Sequence, residues 1–261
     1  MTKDKQKRYK ALILDVDGTL IPNKFEGMPS SKVTKYISLA SKKIHIGVAT
    51  SRCFPVTSHI TEKLNLTGPS ILCVGAIIMD VVSKTILWEK KPTPKTLKEI
   101  LKKLVKLEVE FWICDNKEDK IINKKNYDQL INLDLKSIVG FYIPGIDPEK
   151  VEIIVNELSY IFEIAIQRVP SWNKGKIDLN ISHALATKQH GVFEVAKILN
   201  IDTKEIIGVG DGYNDFPLLM ACGLKVAMGN AVSDLKEIAD YIAPSVEDDG
   251  VADIIEKFVL N

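Results

Sequence analysis

No hydrophobic stretch of this chain approaches the ~20 apolar residues of a membrane-spanning helix, so the expectation is a protein that does not cross a membrane. The N-terminal segment has no apolar core of the kind a secretory signal carries. Net charge is also lacking: 35 Lys+Arg against 34 Asp+Glu leave +1, so no global field points to nucleic acid or to an anionic membrane. The one local excess, residues 3–10 with five basic side chains against Asp4, reads as a solvated leader. Cysteine is scarce. Cys53, Cys73, Cys114 and Cys222 are far apart and form no CxxC pair, so neither a thiolate metal site nor a disulfide framework is expected. They read as packing residues in a reducing cytoplasm. His45, His59, His183 and His190 show no ligand spacing and read as structural or surface residues. Internal repeats and low-complexity tracts are absent.

What is present is length and rhythm. With 261 residues, 46% of them hydrophobic, the chain can bury one large core or two smaller ones. Short apolar runs (11–14, 44–49, 71–74) alternate with helical patterns (31–41, 54–64), the signature of a parallel sheet built from βαβ units. Runs 77–82 and 85–88 flank Ser83-Lys84 as a hairpin. Lys90-Lys91-Pro92-Thr93-Pro94 then breaks the pattern, ahead of an amphipathic helix over 95–107. Strands predicted over 109–114, 138–143, 161–169 and 177–181, with a helix over 148–158, do not suit an all-parallel sheet. From Lys188 the βαβ rhythm returns to the end. The expected class is α/β: a Rossmann-like parallel-sheet core from 1–89 and 184–261, with an inserted α+β domain over 90–183.

The first strand stops at Asp15-Val16-Asp17-Gly18-Thr19. Alternate residues of an extended chain point the same way, so Asp15 and Asp17 can address one point. Two carboxylates held that close need a cation or a proton between them, which suggests a divalent metal, acid/base chemistry, or both. A polar turn closing a buried strand is the plain alternative. An EF-hand loop fits poorly, because its glycine and its bidentate glutamate are not at the required positions. Two further strands end in polar groups: Thr50-Ser51-Arg52, and Gly210-Asp211-Gly212-Tyr213-Asn214-Asp215. Loops at the carboxyl ends of parallel strands gather in one crevice where ligands bind. Lys188, opening a helix, can add a positive charge there.

This ordered set, with Ala227-Met228-Gly229-Asn230-Ala231 and Asp248-Asp249-Gly250-Val251-Ala252 after it, resembles the haloacid dehalogenase superfamily of phosphohydrolases. The inserted segment points to its branch with large α/β caps, which includes Cof-like sugar phosphatases, archaeal phosphoglycolate phosphatases and sucrose-phosphate phosphatases. The resemblance is motif-specific over 10–82 and 184–261, and only positional for the insert. The chain departs from the pattern at Ser51 and Val74, where glycine and asparagine are usual, and at Gln189, where glycine is usual.

The resemblance implies Mg²⁺-dependent hydrolysis of a small soluble phosphomonoester, a sugar phosphate or a phosphoglycolate-like compound. Asp15 would be the nucleophile, forming an aspartyl-phosphate. Asp17 would be the general acid and then the base. The metal would be held by Asp15, Asp211, the Asp17 carbonyl and Asp215, the last directly or through water. The ion is needed because a carboxylate about 4 Å from a phosphate charge is repelled by ~4 kcal/mol in a partly screened site. Thr50, Ser51, Lys188 and Asn214 would bind phosphate, and Arg52 the substrate. In the cap, Trp172, Lys174 and Lys176 surround a turn that could reach the ligand. The implied partner is a small phosphorylated metabolite, the assembly a monomer or homodimer, the location cytoplasmic. Phosphoryl transfer to a second sugar and a non-catalytic phospho-ligand sensor are the competing readings.

Overall fold

An uninterrupted apolar run makes a strand buried on both faces, and β1 (Ala11–Leu14) is buried at all four positions. The computed structural model describes residues 9–22, 27–115, 119–171 and 173–261; Trp172 and residues 3–8 of the basic leader lie outside them. After β1 come α1 (Ser31–Ala40), β2 (His45–Val48), α2 (Phe54–Lys63), β3 (Pro69–Leu72), β4 (Ile77–Asp80) and β5 (Thr85–Glu89). The middle of the chain supplies α3 (Pro94–Lys106), β6 (Phe111–Asp115), β7 (Lys120–Ile122), β8 (Ile138–Ile146), α4 (Pro148–Leu158), β9 (Ile164–Pro170) and β10 (Ile177–His183). The last third supplies α5 (Lys188–Leu199), β11 (Ile206–Gly210), α6 (Phe216–Ala221), β12 (Leu224–Ala227), α7 (Ser233–Ile238), β13 (Tyr241–Ile242) and α8 (Gly250–Ile255).

The five-stranded parallel sheet has the order β13-β12-β11-β1-β2. Leu12 and Leu14 of β1 face one apolar cluster with Val33 and Ile37 of α1 and Val251 and Ile254 of α8. Ala11 and Ile13 face the opposite one, with Val192 and Val195 of α5 and Leu218 of α6. The chain leaves β1 toward β2 on one side and returns at β11 on the other. The crevice outside the carboxyl ends of β1 and β11 is therefore a topological switch point, where open α/β sheets bind ligands.

Strands β3, β4 and β5 form a separate antiparallel sheet, linked to the parallel one by the Ala49–Ile71 bridge. The strand predicted over 71–74 ends at Leu72, because Cys73 (φ 51°) and Val74 (φ 63°) turn left-handed. A second five-stranded sheet, β7-β6-β8-β10-β9, is antiparallel where its strands pair. Its helix-covered face buries Phe111, Phe141 and Leu179 against Leu97 and Ile100 of α3 and Ile154 of α4. The Lys90–Pro94 break resolves as a helix start, with Thr93 capping α3 through the Thr96 amide and Pro94 at its first position. Strand β7 and a 3₁₀ turn at Tyr127–Asn132 were not predicted: Lys120, Asn123, Lys124 and Lys125 leave no apolar period to read.

Cysteine usage departs from expectation. Cys53 and Cys73 are disulfide-bonded, with Cα atoms 4.5 Å apart. Twenty residues separate them in sequence, and only the convergence of two strand-end loops makes them neighbours. Cys114 and Cys222 are free thiols that burial pushes above their ordinary pKa, as packing residues should be. His45 is structural as expected, its Nε2 2.9 Å from the Pro69 carbonyl oxygen. No helix among the described residues is long and apolar enough to cross a membrane.

Candidate active site

The residues following β1 and β11 meet at the switch point. Asp15 is 4% exposed, its amide tied to the Val209 carbonyl, so its side chain emerges at the sheet edge between the two strands. Carboxylate oxygens of Asp15, Asp211 and Asp215 lie within 4.8 Å of one another. Lys188, the first residue of α5, is buried and donates to Asp15 Oδ1 at 2.5 Å and Asp215 Oδ1 at 2.6 Å. Asp215 Oδ2 accepts the Asp211 and Gly212 amides at 2.9 and 3.0 Å, which fixes the loop after β11. Gly18 is required by this packing: its φ is +80°, and a Cβ there would sit on the Asp211 carboxylate.

Charge in this pocket is unbalanced. Burial pushes the Asp15 carboxyl well above its ordinary value, the charges of Asp215 and Asp211 add to this, and Lys188 opposes it. Burial, followed by the Asp215 charge, pushes Asp211 up to about 7. Burial alone would lower the Lys188 pKa, but Asp15 and Asp215 override it and hold the ammonium above its ordinary value. Three carboxylates against one ammonium, when all are ionised, leave a deficit of two positive charges in a largely buried cluster, which protons or a cation must meet. An all-oxygen donor set with that deficit fits a hard divalent cation such as Mg²⁺.

Around this cluster the structure places the other candidates individually. Asp17 turns its carboxylate to Arg52, which grips it with two parallel bonds, Nε to Oδ2 at 2.9 Å and a terminal nitrogen to Oδ1 at 2.5 Å. Arg52, expected to address substrate, is thus engaged with Asp17. The Asp17 carboxylate stands outside the three-carboxylate group. Thr50 is buried, and its hydroxyl oxygen accepts the Arg52 amide at 3.1 Å. Ser51 is exposed beside it, and Asn214 is half-buried in the turn carrying Asp215. In the second sheet, Lys176 is paired with Asp147 and Lys174 is exposed in its turn.

Two positioning residues escaped the sequence reading. Thr19 donates to Asp211 Oδ1 at 3.1 Å, and Asn230 donates to the Gly18 carbonyl at 2.8 Å while accepting the Val246 amide. Both lie inside quoted motifs, so the signal was their membership; their partners are fixed only by tertiary contact.

On the face away from its helices, the second sheet carries Trp112 and Tyr142 as directly opposed, edge-to-face rings, with Asn180 opposite Tyr142. Asp178 accepts from the Tyr142 hydroxyl and the Gly145 amide. Val139 and Cys114 pack with the core cluster of β1, and β9 lies against the Tyr213–Asp215 turn. The second sheet is thus seated on the core beside the loop that carries Asp211 and Asp215.

Comparison with known proteins agrees with this geometry. The 5-amino-6-(5-phospho-D-ribitylamino)uracil phosphatase YcsE of Bacillus subtilis is 26% identical over 253 residues, 96% of each chain. A phosphoglycolate phosphatase of Methanopyrus kandleri is 31% identical over 115 residues, 42% of this chain and 45% of its own, so that match spans less than half of either. A crystal structure of a haloacid dehalogenase-like hydrolase from Bacteroides thetaiotaomicron superposes with a TM-score of 0.81 at 24% identity, over 95% of this chain and 99% of that one. The family model for haloacid dehalogenase-like hydrolases matches residues 12–255, so the chain belongs to that family, as an enzyme of its phosphatase branch.

Proposed function

We propose that the protein hydrolyses a small soluble phosphomonoester through an aspartyl-phosphate on Asp15, with Mg²⁺ as cofactor. The observation that carries this reading is the Lys188 ammonium bridging Asp15 and Asp215 beside Asp211. This brings the ends of two strands and the start of one helix to a single anion-recognising point.

Asp15 Oδ1 is held by Lys188, leaving Oδ2 to attack phosphorus in line with the leaving oxygen. Lys188, the Thr50 hydroxyl and the Ser51 amide would take the phosphoryl oxygens, with Asn214 as a further contact. Asp17 would protonate the leaving oxygen and then draw a proton from the water that attacks the acyl phosphate. The Asp17–Arg52 pair orients that carboxylate, and it must open for the proton to move. Mg²⁺, held by Asp15, Asp211, the Asp17 carbonyl and Asp215, would offset the repulsion between nucleophile and phosphate.

Residues 90–183 would serve as a cap closing over the crevice and excluding water. Trp112, Tyr142 and Asn180 offer ring faces and an amide, groups that stack on and hydrogen-bond to a hydroxylated leaving group such as a sugar. The location that goes with this reading is the cytoplasm. The test is release of phosphate from an aryl phosphate and a sugar-phosphate panel, with Mg²⁺ against chelator. Mg²⁺-dependent turnover is expected, and the reading fails if no phosphoester is turned over in either condition.

A further inference from the structure

The Cys53–Cys73 pair occupies a position that the reaction itself does not require. Cys53 occupies the N-cap position of α2 directly after Thr50-Ser51-Arg52, and Cys73 opens the left-handed turn after β3. The two segments are also stitched by their backbones. The Cys73 amide donates to the Arg52 carbonyl at 2.9 Å, and the Val74 amide to the Thr50 carbonyl at 3.1 Å. On its far side the Cys73–Gly75 turn seats on α5: Gly75, at φ +107°, lies so close to Thr187 that a Cβ would collide with the Thr187 backbone. Thr187 is the cap of the helix that Lys188 opens. The turn bearing Cys73 therefore lies between the Thr50–Arg52 loop and the lysine helix, and the sulfur bridge ties that turn to the loop.

From this placement we infer that Cys53 and Cys73 form a reversible redox site that sets how firmly the Thr50–Arg52 loop is held, and through it the affinity for the phosphoryl group. The inference rests on the phosphate-binding role proposed for that loop. In the cytoplasmic setting proposed above, a bond between two thiols is open to reduction by the thiol pool. Cys53, at the N-cap position of α2, serves as the attacking thiol. Both residues are nearly buried, at 4% and 3% exposure, so the oxidant must be small, and a hydroperoxide fits. The Cys53 thiolate attacks the terminal peroxide oxygen, giving a sulfenic acid and an alcohol, or water from hydrogen peroxide. The Cys73 thiol then displaces water from that sulfur and closes the disulfide. The two sulfurs lose two electrons in all, and the peroxide O–O bond takes them up. A small dithiol reverses the bond by exchange.

The experiment measures aryl phosphate hydrolysis with Mg²⁺ by the whole protein after hydrogen peroxide and after dithiothreitol, with peptide mapping of alkylated thiols in both states. Expected is one Cys53–Cys73 bond after peroxide, lost after dithiothreitol, with kcat/KM about tenfold higher in the bonded form because the loop is preorganised. Cys53→Ser and Cys73→Ser should match the reduced enzyme and ignore both reagents; the wild-type comparison stands even if a variant folds poorly. Four alkylatable thiols after peroxide would overturn the inference, as would equal kinetics in the two states or a faster reduced form. Mapping reads the bond whether or not any phosphoester is turned over, so a failed phosphatase reading is told apart. In that case inorganic phosphate affinity, measured calorimetrically with Mg²⁺ in both states, decides in place of kcat/KM: tighter binding in the bonded form supports the site, and equal or weaker binding overturns it.

Discussion

Lys188 is a fully buried ammonium whose two partners are both carboxylates of the site, so its removal strikes folding and chemistry together. Breaking a buried ion pair from one side costs about 3–5 kcal/mol, because the remaining charges stay buried and uncompensated. Lys188→Met should therefore lower stability by that order in chemical denaturation, and Mg²⁺ should restore part of the loss by replacing the missing charge. Asp15→Asn has a different signature. It removes the nucleophile but relieves carboxylate repulsion, so turnover should fall by about a thousandfold or more while the melting temperature holds or rises. Retained turnover in Asp15→Asn would mean that another group attacks phosphorus. The convergence of Asp15 and Asp211 was legible in the sequence, because each follows an apolar strand of the βαβ pattern. The roles of Thr19, Asn230 and the Cys53–Cys73 pair were not, because each depends on a partner from 20 to more than 200 positions away.

Elements translate these residues into a site through the loops that follow β1 and β11. The Asp211 carboxyl, pushed up to about 7 by burial and then by Asp215, binds a proton in the folded protein that it would not hold in the unfolded chain. Its contribution to stability without metal therefore falls as pH rises from its ordinary range toward 7, since the folded state is the one that must give up the proton. Cation binding requires the ionised form, so apparent Mg²⁺ affinity should weaken as pH drops below about 7. Calorimetric titration across pH 6 to 8, about a unit on either side of that value, checks this, and an affinity flat with pH would contradict it. Gly18→Ala should nearly abolish that affinity, because the substitution forces the Asp211 carboxylate aside. The first parallel strands were readable from their continuous apolar runs, and α3 from its amphipathic period. Strand β3 was misjudged because a residue run such as Ile71-Leu72-Cys73-Val74 carries no sign that its last two members turn left-handed.

At the scale of the whole molecule, two apolar clusters lie on opposite faces of the parallel sheet, and a third joins α3 and α4 to the second sheet. Ile100 is fully buried in the third cluster, so Ile100→Ala should cost about 2–5 kcal/mol of stability there. If that sheet roofs the crevice, the same variant should raise KM for sugar phosphates more than for a small aryl phosphate. A KM unchanged for both would detach the second sheet from substrate recognition. The alternation of βαβ units with a stretch of different texture was visible in the sequence, but the register that sets Trp112, Tyr142 and Asn180 in one row was not, since cross-strand pairing is not local. The most direct measurement is an acid quench of the enzyme during turnover of a phosphoester with Mg²⁺, followed by mass mapping of its peptides. The account predicts one phosphoryl group on the peptide bearing Asp15, lost in Asp15→Asn; a phosphoryl group on any other residue, or on none while turnover proceeds, would contradict it.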